Sequence, residues 1–240
     1  MKPIRMTPLL LRRIHKWVGL VLGLQFVLWT ISGAAMALID QDAVGGHGRG
    51  VAHTELLSVK ASIIAPAAAA PLGTAEAVTL RPLAGRPVYE FRSRNRVQLA
   101  DAVTGKPVVV SAALARRVVA ERSDAPVRKV TFLRQANLET REHDGPMWRV
   151  DLDDAEQRSG YVSVQTGRLL ELRGNAWRWW DFFWMFHNMD YVNRTSFNHP
   201  LIIFVAFGVL WLSTTGFYLL FKSFKRRDFR WVLPTPRAPR

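Results

Sequence analysis

Three histidines beside long uncharged apolar runs carry the strongest chemical signal in this chain. His15 precedes Trp17–Ile39, a run of 23 residues without a charged side chain. His199 precedes Leu201–Phe221, 21 residues with none, and His187 lies in an aromatic stretch just upstream. Imidazole nitrogen is an axial ligand for haem iron, and ionisable side chains at membrane depth usually have a task. A 23-residue helix rises about 35 Å, so His15 and His199 fall on opposite faces of a bilayer and cannot share one iron. His187 and His199 fall on the same face and can. Each ring also has a plainer reading. His15 is an interfacial anchor among Arg12, Arg13 and Lys16, His187 a packed aromatic ring, and His199 a cap before Pro200. His47, His53 and His143 read as exposed loop residues. His143 with Glu142 and Asp144 is a weaker candidate contact for ferric iron.

The elements that must hold these rings follow from hydropathy and charge. A helix needs about 20 apolar residues to cross the hydrocarbon core, and both runs qualify. Five basic residues and no acid precede Trp17; seven basic residues and Asp228 follow Phe221. Only +3 of the formal charge of +14 therefore remains for the residues between. Lys and Arg flanking a span mark its cytoplasmic side, so both termini are expected in the cytoplasm, where they also meet anionic lipid heads. Residues 1–16 and 222–240 read as basic cytoplasmic flanks, 17–39 and 200–221 as the spans, 40–174 as a region on the other face of the membrane. Ala35-Met36-Ala37 resembles a signal cleavage site, but the apolar run exceeds the usual 7–15 residues. No separate basic domain exists for nucleic acid. With no cysteine, disulfides, thiolate zinc and iron–sulfur ligation are excluded.

The middle reads as α+β. Gly45-Gly46-His47-Gly48 is a linker, and Leu56–Ala70 a short alanine-rich helix stopped by Pro71. Ala77–Leu83, Pro87–Phe91 and Arg96–Ala102 alternate as strands, then a turn at Val103–Lys106 leads into Val108–Val110. Ser111–Arg122 reads as a helix with Ser111 at its N-cap. A weak repeat relates Val88–Gly105 to Met147–Gly167: strand, turn, strand, a Thr-Gly turn, and another short strand. Two helix-plus-antiparallel-sheet modules are expected. Asn175–Tyr191 holds four Trp, three Phe and one Tyr, a density suited to the membrane–water boundary. Residues 175–199 are therefore read as an interfacial aromatic helix and turn.

Leu11–Leu20, with His15, Trp17 and Gly19, resembles the opening of the PepSY-associated transmembrane family. Trp29 through Ser32-Gly33, Phe186–Tyr191, Phe197–Leu201 and Ser213–Gly216 resemble its later stretches. The soluble repeats resemble PepSY modules; Asp101–Gly105 matches their Asp-x-x-Thr-Gly turn, while Val164–Gly167 lacks the Asp. The resemblance implies two transmembrane helices flanking two PepSY-like modules. It further implies an inner-membrane b-type haem protein, with His15, His187 and His199 as iron ligands, that reduces ferric iron or a ferric siderophore in iron uptake. Relatives with four spans make a homodimer the expected form of this two-span chain. Arg12, Arg13 and Lys16 then suit haem propionates, since cations bind carboxylates well. Gly19 and Gly23 form a close-approach step, and Gln25 is the strong hydrogen-bonding group deep in the first span.

Neither hydrolytic motifs, a phosphate loop, nor a flavin or nicotinamide fingerprint is present. Electrons for such a ferric reductase would come from quinol or a cytoplasmic donor. Two rival readings are a membrane-tethered PepSY binding or regulatory module without enzymatic activity, and a haem subunit of a larger complex.

Overall fold

The computed structural model describes residues 7–45, 62–69, 75–94 and 96–224. His47, His53, the linker from Gly46, much of the expected 56–70 helix and the basic tail beyond Phe224 lie outside them. The chain divides into two units, one comprising the chain up to Ala35 and from Phe183 onward, the other Met36–Phe182.

Helix α1 runs Pro8–Leu38, 31 residues. It starts two turns before the uncharged run because Thr7 Oγ1 accepts the Leu10 N–H at 3.2 Å and Pro8 suits the first helical turn. His15 is thus a helical residue. The four-residue α2, Gln41–Val44, is capped by Asp40, whose side chain accepts the Asp42 N–H.

In the Met36–Phe182 unit, α3 (Pro66–Ala69) precedes an antiparallel sheet of β1 (Ala77–Leu83), β2 (Arg86–Ser93) and β3 (Arg96–Asp101). Helix α4 (Ala112–Ala120) begins where expected, with Ser111 accepting the Leu114 N–H at 3.3 Å. A second antiparallel sheet follows: β4 (Val127–Leu133), β5 (Met147–Leu152), β6 (Ser159–Ser163) and β7 (Leu169–Arg173), in that order. The two expected modules are not built alike. Val118 and Val119 of α4 share one core with Leu83, Val88 and Leu99 of the first sheet and Val150, Val162 and Leu172 of the second. The other face of the first sheet packs Tyr89 and Phe91 on Ala69, Ile63 and Ile64.

The repeat itself is visible in the turns. Asp101 O accepts the Gly105 N–H at 2.9 Å, and Ser163 O accepts the Gly167 N–H at 2.8 Å. Both glycines have positive φ, +71° and +68°, the region glycine adopts without steric cost. Asp101 Oδ1 also takes the Val103 and Thr104 N–H groups; Ser163 Oγ takes that of Thr166. The copies then diverge. Leu169–Arg173 continues as β7, but Val108–Val110 is not the expected strand. Pro107 has no N–H for a ladder, and the pairing shrinks to a single Ala100–Pro107 bridge.

Glu90 on β2 links the two halves. Its carboxylate lies 2.7 Å from Arg81 Nε, 2.9 Å from Arg92 and 3.1 Å from Arg168, the last beside the β6–β7 turn. Arg81 also donates to the Thr166 carbonyl. Tight packing around α4 gives a testable consequence. A Cβ at Gly160 would stand 2.6 Å from Val119 Cγ2, on a β-branched side chain with no solvent exposure. Gly160→Ala is therefore expected to destabilise this unit by about 1–3 kcal/mol, measured by urea unfolding of the full chain in detergent.

Helix α5, Asn175–Asn188, carries the aromatic stretch, and α6 is Pro200–Ser223. Both α1 and α6 are long and apolar enough to cross a membrane, and their apolar side chains are largely uncovered.

Candidate functional site

Against α6, α1 packs through small residues and aliphatic side chains. Leu22, Met189 and Val205 form a buried cluster with Val18, Trp29, Ile202, Val209 and Leu212 around it. A Cβ at Gly19 would lie 3.6 Å from Leu212 of α6, and one at Gly208 would lie 2.9 Å from Leu22; Gly23 has nothing within 4 Å. Only the first half of the Gly19–Gly23 step is thus used between these helices. Among the described residues, Gln25 Nε2 and Trp29 Nε1 are buried without a hydrogen-bond partner.

This packing places two of the three histidines in matching settings. His15 Nδ1 on α1 is 2.8 Å from Thr215 Oγ1 on α6. Its Cε1 would be 3.3 Å from a Cβ at Gly216, and its ring centroid is 6.4 Å from that of Trp211. His187 Nδ1 on α5 is 3.2 Å from Ser32 Oγ on α1. Its Cε1 would be 3.3 Å from a Cβ at Gly33, and its ring centroid is 6.4 Å from that of Trp29. Each imidazole rests on a hydroxyl–glycine pair placed one helical turn after a tryptophan. Along α1, His15 and Ser32 are separated by about 25 Å at 1.5 Å per residue, so the settings lie near opposite ends of the helix. The described residues supply no hydrogen-bond partner to Nε2 of either ring.

His199 is held differently. Its Nε2 lies 2.7 Å from the Asn188 carbonyl, an acceptor only, so Nε2 carries a proton and donates. It makes no side-chain bond to its own helix, so it is not a helix cap in that sense. It ties the end of α5 to the start of α6, and no described bond or ring contact joins it to His187.

The intervening turn is anchored on Asp190. Its Oδ1 accepts the Asn193 N–H at 3.0 Å and its Oδ2 the Thr195 N–H at 3.0 Å. What burial there is works against the charge, but these N–H groups, with those of Arg194 and Ser196, hold the pKa at about 2, below the ordinary 3.8. A lowered folded-state pKa contributes stability above the ordinary value, lost as pH falls through the folded one. Asp190→Asn is expected to lower the melting temperature at pH 7, with the gap to the parent closing between pH 4 and pH 2. A pH series of thermal unfolding in detergent checks this.

Arg12, Arg13 and Lys16 form no ion pair with another described residue; Lys16 Nζ lies 5.3 Å from the Trp17 ring centroid. His143 departs from the expected exposed loop residue. It is partly buried, with Nε2 2.8 Å from Glu171, which also meets Arg173 at 2.8 Å. Among the described residues, no group of three or more His, Asp or Glu side chains is arranged to hold a metal ion. Glu171 and Arg173 line a cavity of about 250 Å³ with Glu139, Arg141 and Trp177. The Trp177 ring is 5.5 Å from the Arg141 guanidinium and 4.5 Å from that of Arg173.

Two helices apolar enough to cross a membrane, flanking in sequence a region of two antiparallel sheets, fit the layout of a transmembrane protein with a folded insert. The family model of the PepSY-associated TM region matches residues 12–240. The chain belongs to that family. No characterised protein and no solved structure gives a significant match.

The opening and closing motifs pointed to Ser32, Gly33 and Gly216 as part of a pattern, without linking them to the histidines. The link was hidden because partners such as His15 and Thr215 are 200 residues apart.

Proposed function

We propose that this chain is an inner-membrane b-type haem protein that carries electrons across the bilayer and reduces ferric iron or a ferric chelate on the periplasmic side. The observation carrying the reading is the matched pair of histidines near the two ends of α1, each anchored through Nδ1 with Nε2 unpartnered. A haem ligand is commonly oriented by a bond from its other ring nitrogen. Gly33 and Gly216 fit the same purpose, since each lets an imidazole approach the neighbouring helix edge-on. When bound, haem b supplies one-electron exchange between ferric and ferrous iron.

The residues do the rest. His15 and His187 present Nε2. Arg12, Arg13 and Lys16 put three cations near His15, suited to propionates. The apolar side chains of α1 and α6 exclude water from the space between. Among the described residues each setting holds one such histidine, so a second imidazole to hold the group would come from the same residue of a second copy, which makes the working form a homodimer. His199 closes the α5–α6 turn in this reading. Both termini lie in the cytoplasm and the sheets in the periplasm as PepSY-like modules; the exposed Trp179 and Phe182 of α5 suit an interfacial position. A quinol, or a cytoplasmic reductase, supplies the electrons: one quinol releases two electrons and two protons and reduces two ferric ions.

The test is the visible spectrum of the detergent-purified chain, oxidised and then dithionite-reduced, followed by ferrous-chelator assays on quinol-loaded proteoliposomes. A sharp reduced α band and outward ferric reduction are expected. A colourless protein after expression with ample haem would overturn the reading in favour of a PepSY binding or regulatory module. Colour without ferric reduction would make the chain a haem subunit of a larger complex.

A further inference from the structure

We infer that Thr215 and Ser32 are positioning residues that lock His15 and His187 in the tautomer protonated at Nδ1, keeping the Nε2 lone pair free. The argument rests on counting protons. A hydroxyl has one proton to donate and two lone pairs to accept with. Thr215 Oγ1 lies 2.8 Å from the Trp211 carbonyl and 3.1 Å from that of Leu212. Ser32 Oγ lies 2.6 Å from the Leu28 carbonyl and 3.2 Å from that of Trp29. Carbonyls only accept, so each hydroxyl proton is directed back into its own helix, the usual i−4 bond of Ser and Thr. What faces each imidazole is a hydroxyl lone pair. Only a protonated Nδ1 makes a hydrogen bond there, and a neutral ring protonated at Nδ1 has its lone pair on Nε2.

The same device occurs twice, on different helices and near opposite ends of α1, each time with a glycine next to the hydroxyl and a tryptophan one turn before it. At His199 the logic is reversed. The Asn188 carbonyl fixes the proton on Nε2, leaving Nδ1 as the lone-pair nitrogen. Two histidines are thus sorted from the third by the type of acceptor each meets. A hydroxyl is also a neutral acceptor, so neither ring gains the anionic character that a carboxylate partner imparts. The purpose of this arrangement rests on the haem reading; the proton positions do not.

The experiment labels histidine with ¹⁵N in the full chain, expressed without haem supply, and records long-range ¹H–¹⁵N spectra of the parent, Thr215→Val, Ser32→Ala and the conservative Thr215→Ser. Two rings protonated at Nδ1 are expected in the parent. Thr215→Val should move His15 alone toward the Nε2-protonated form, Ser32→Ala should move His187 alone, and Thr215→Ser should keep the parent tautomer. On haem titration each non-polar variant should lose about tenfold in affinity at one site. Nε2 protonation of either ring in the parent, or tautomers unmoved by both non-polar substitutions, would overturn the inference. Tautomers as stated in a chain that takes up no haem would uphold the positioning role and overturn the haem reading alone.

Discussion

His15→Ala protein should purify with about half the parent haem absorbance and no outward ferric reduction, and His187→Ala should do the same with the complementary half. Each substitution removes the one imidazole that, among the described residues, its end of α1 offers with an unpartnered Nε2, and haem that loses a protein ligand is not retained tightly. The helices themselves should survive. His15 is partly exposed on α1, and alanine is the best helix former. His199→Ala is the control. Its Nε2 bonds a backbone carbonyl, so both haem signals should remain, with stability lowered by about 1 kcal/mol. Absorbance per chain, midpoint potentials and chelator-trapped ferrous iron read the three variants together. Equal, complete loss of haem from both single variants would overturn two independent centres, because settings about 25 Å apart along α1 cannot share one iron.

The second large effect lies in the Met36–Phe182 unit. Glu90→Ala should destabilise that unit by about 3–5 kcal/mol, the cost of removing one partner from a buried charge network. Glu90 is 2% exposed and meets three guanidinium groups, of which Arg81 is itself 13% exposed. Arg92 and Arg168 are at least half exposed, so water compensates them and the lower end of that range applies. Glu90→Gln keeps an acceptor for Arg81 and should cost less. Burial raises the Glu90 pKa, but hydrogen bonds from Arg81, Arg92 and Arg168 outweigh it and leave a net lowering from 4.5. The contribution is therefore complete above pH 4.5 and is lost as pH falls through the lowered value. Chemical unfolding of parent, Gln and Ala variants at pH 7, repeated under acid conditions, checks both size and sign.

Sequence patterns and structure agree where the physics is local. The apolar runs, β1 at Ala77–Leu83, the Ser111 cap and the two Thr-Gly turns depend on side chains within a few residues of one another, and each appears as read. Non-local features were not legible. Nothing in the alternation of Pro87–Phe91 says that Val88 and Val162 share one core. Pro107 was a local clue that Val108–Val110 would not extend a ladder, overridden by its run of β-branched residues. At the candidate site the histidines were legible as types, whereas their hydroxyl partners required α1, α5 and α6 to be packed. Likewise, Glu171 holds His143 from 28 residues away.

Helix α1 has 31 residues and is about 46 Å long at 1.5 Å per residue, against a hydrocarbon core of about 30 Å. The excess must be taken up by tilting or by projection into the headgroups. His15 stands only about 10 Å from the start of this helix, among basic residues, so a thinner bilayer would raise its ring toward water and a thicker one would draw it inward. Because the same rod carries Ser32 near its far end, any tilt that shifts one imidazole setting relative to the lipid shifts the other. Lipid chain length thereby becomes a control on both settings at once.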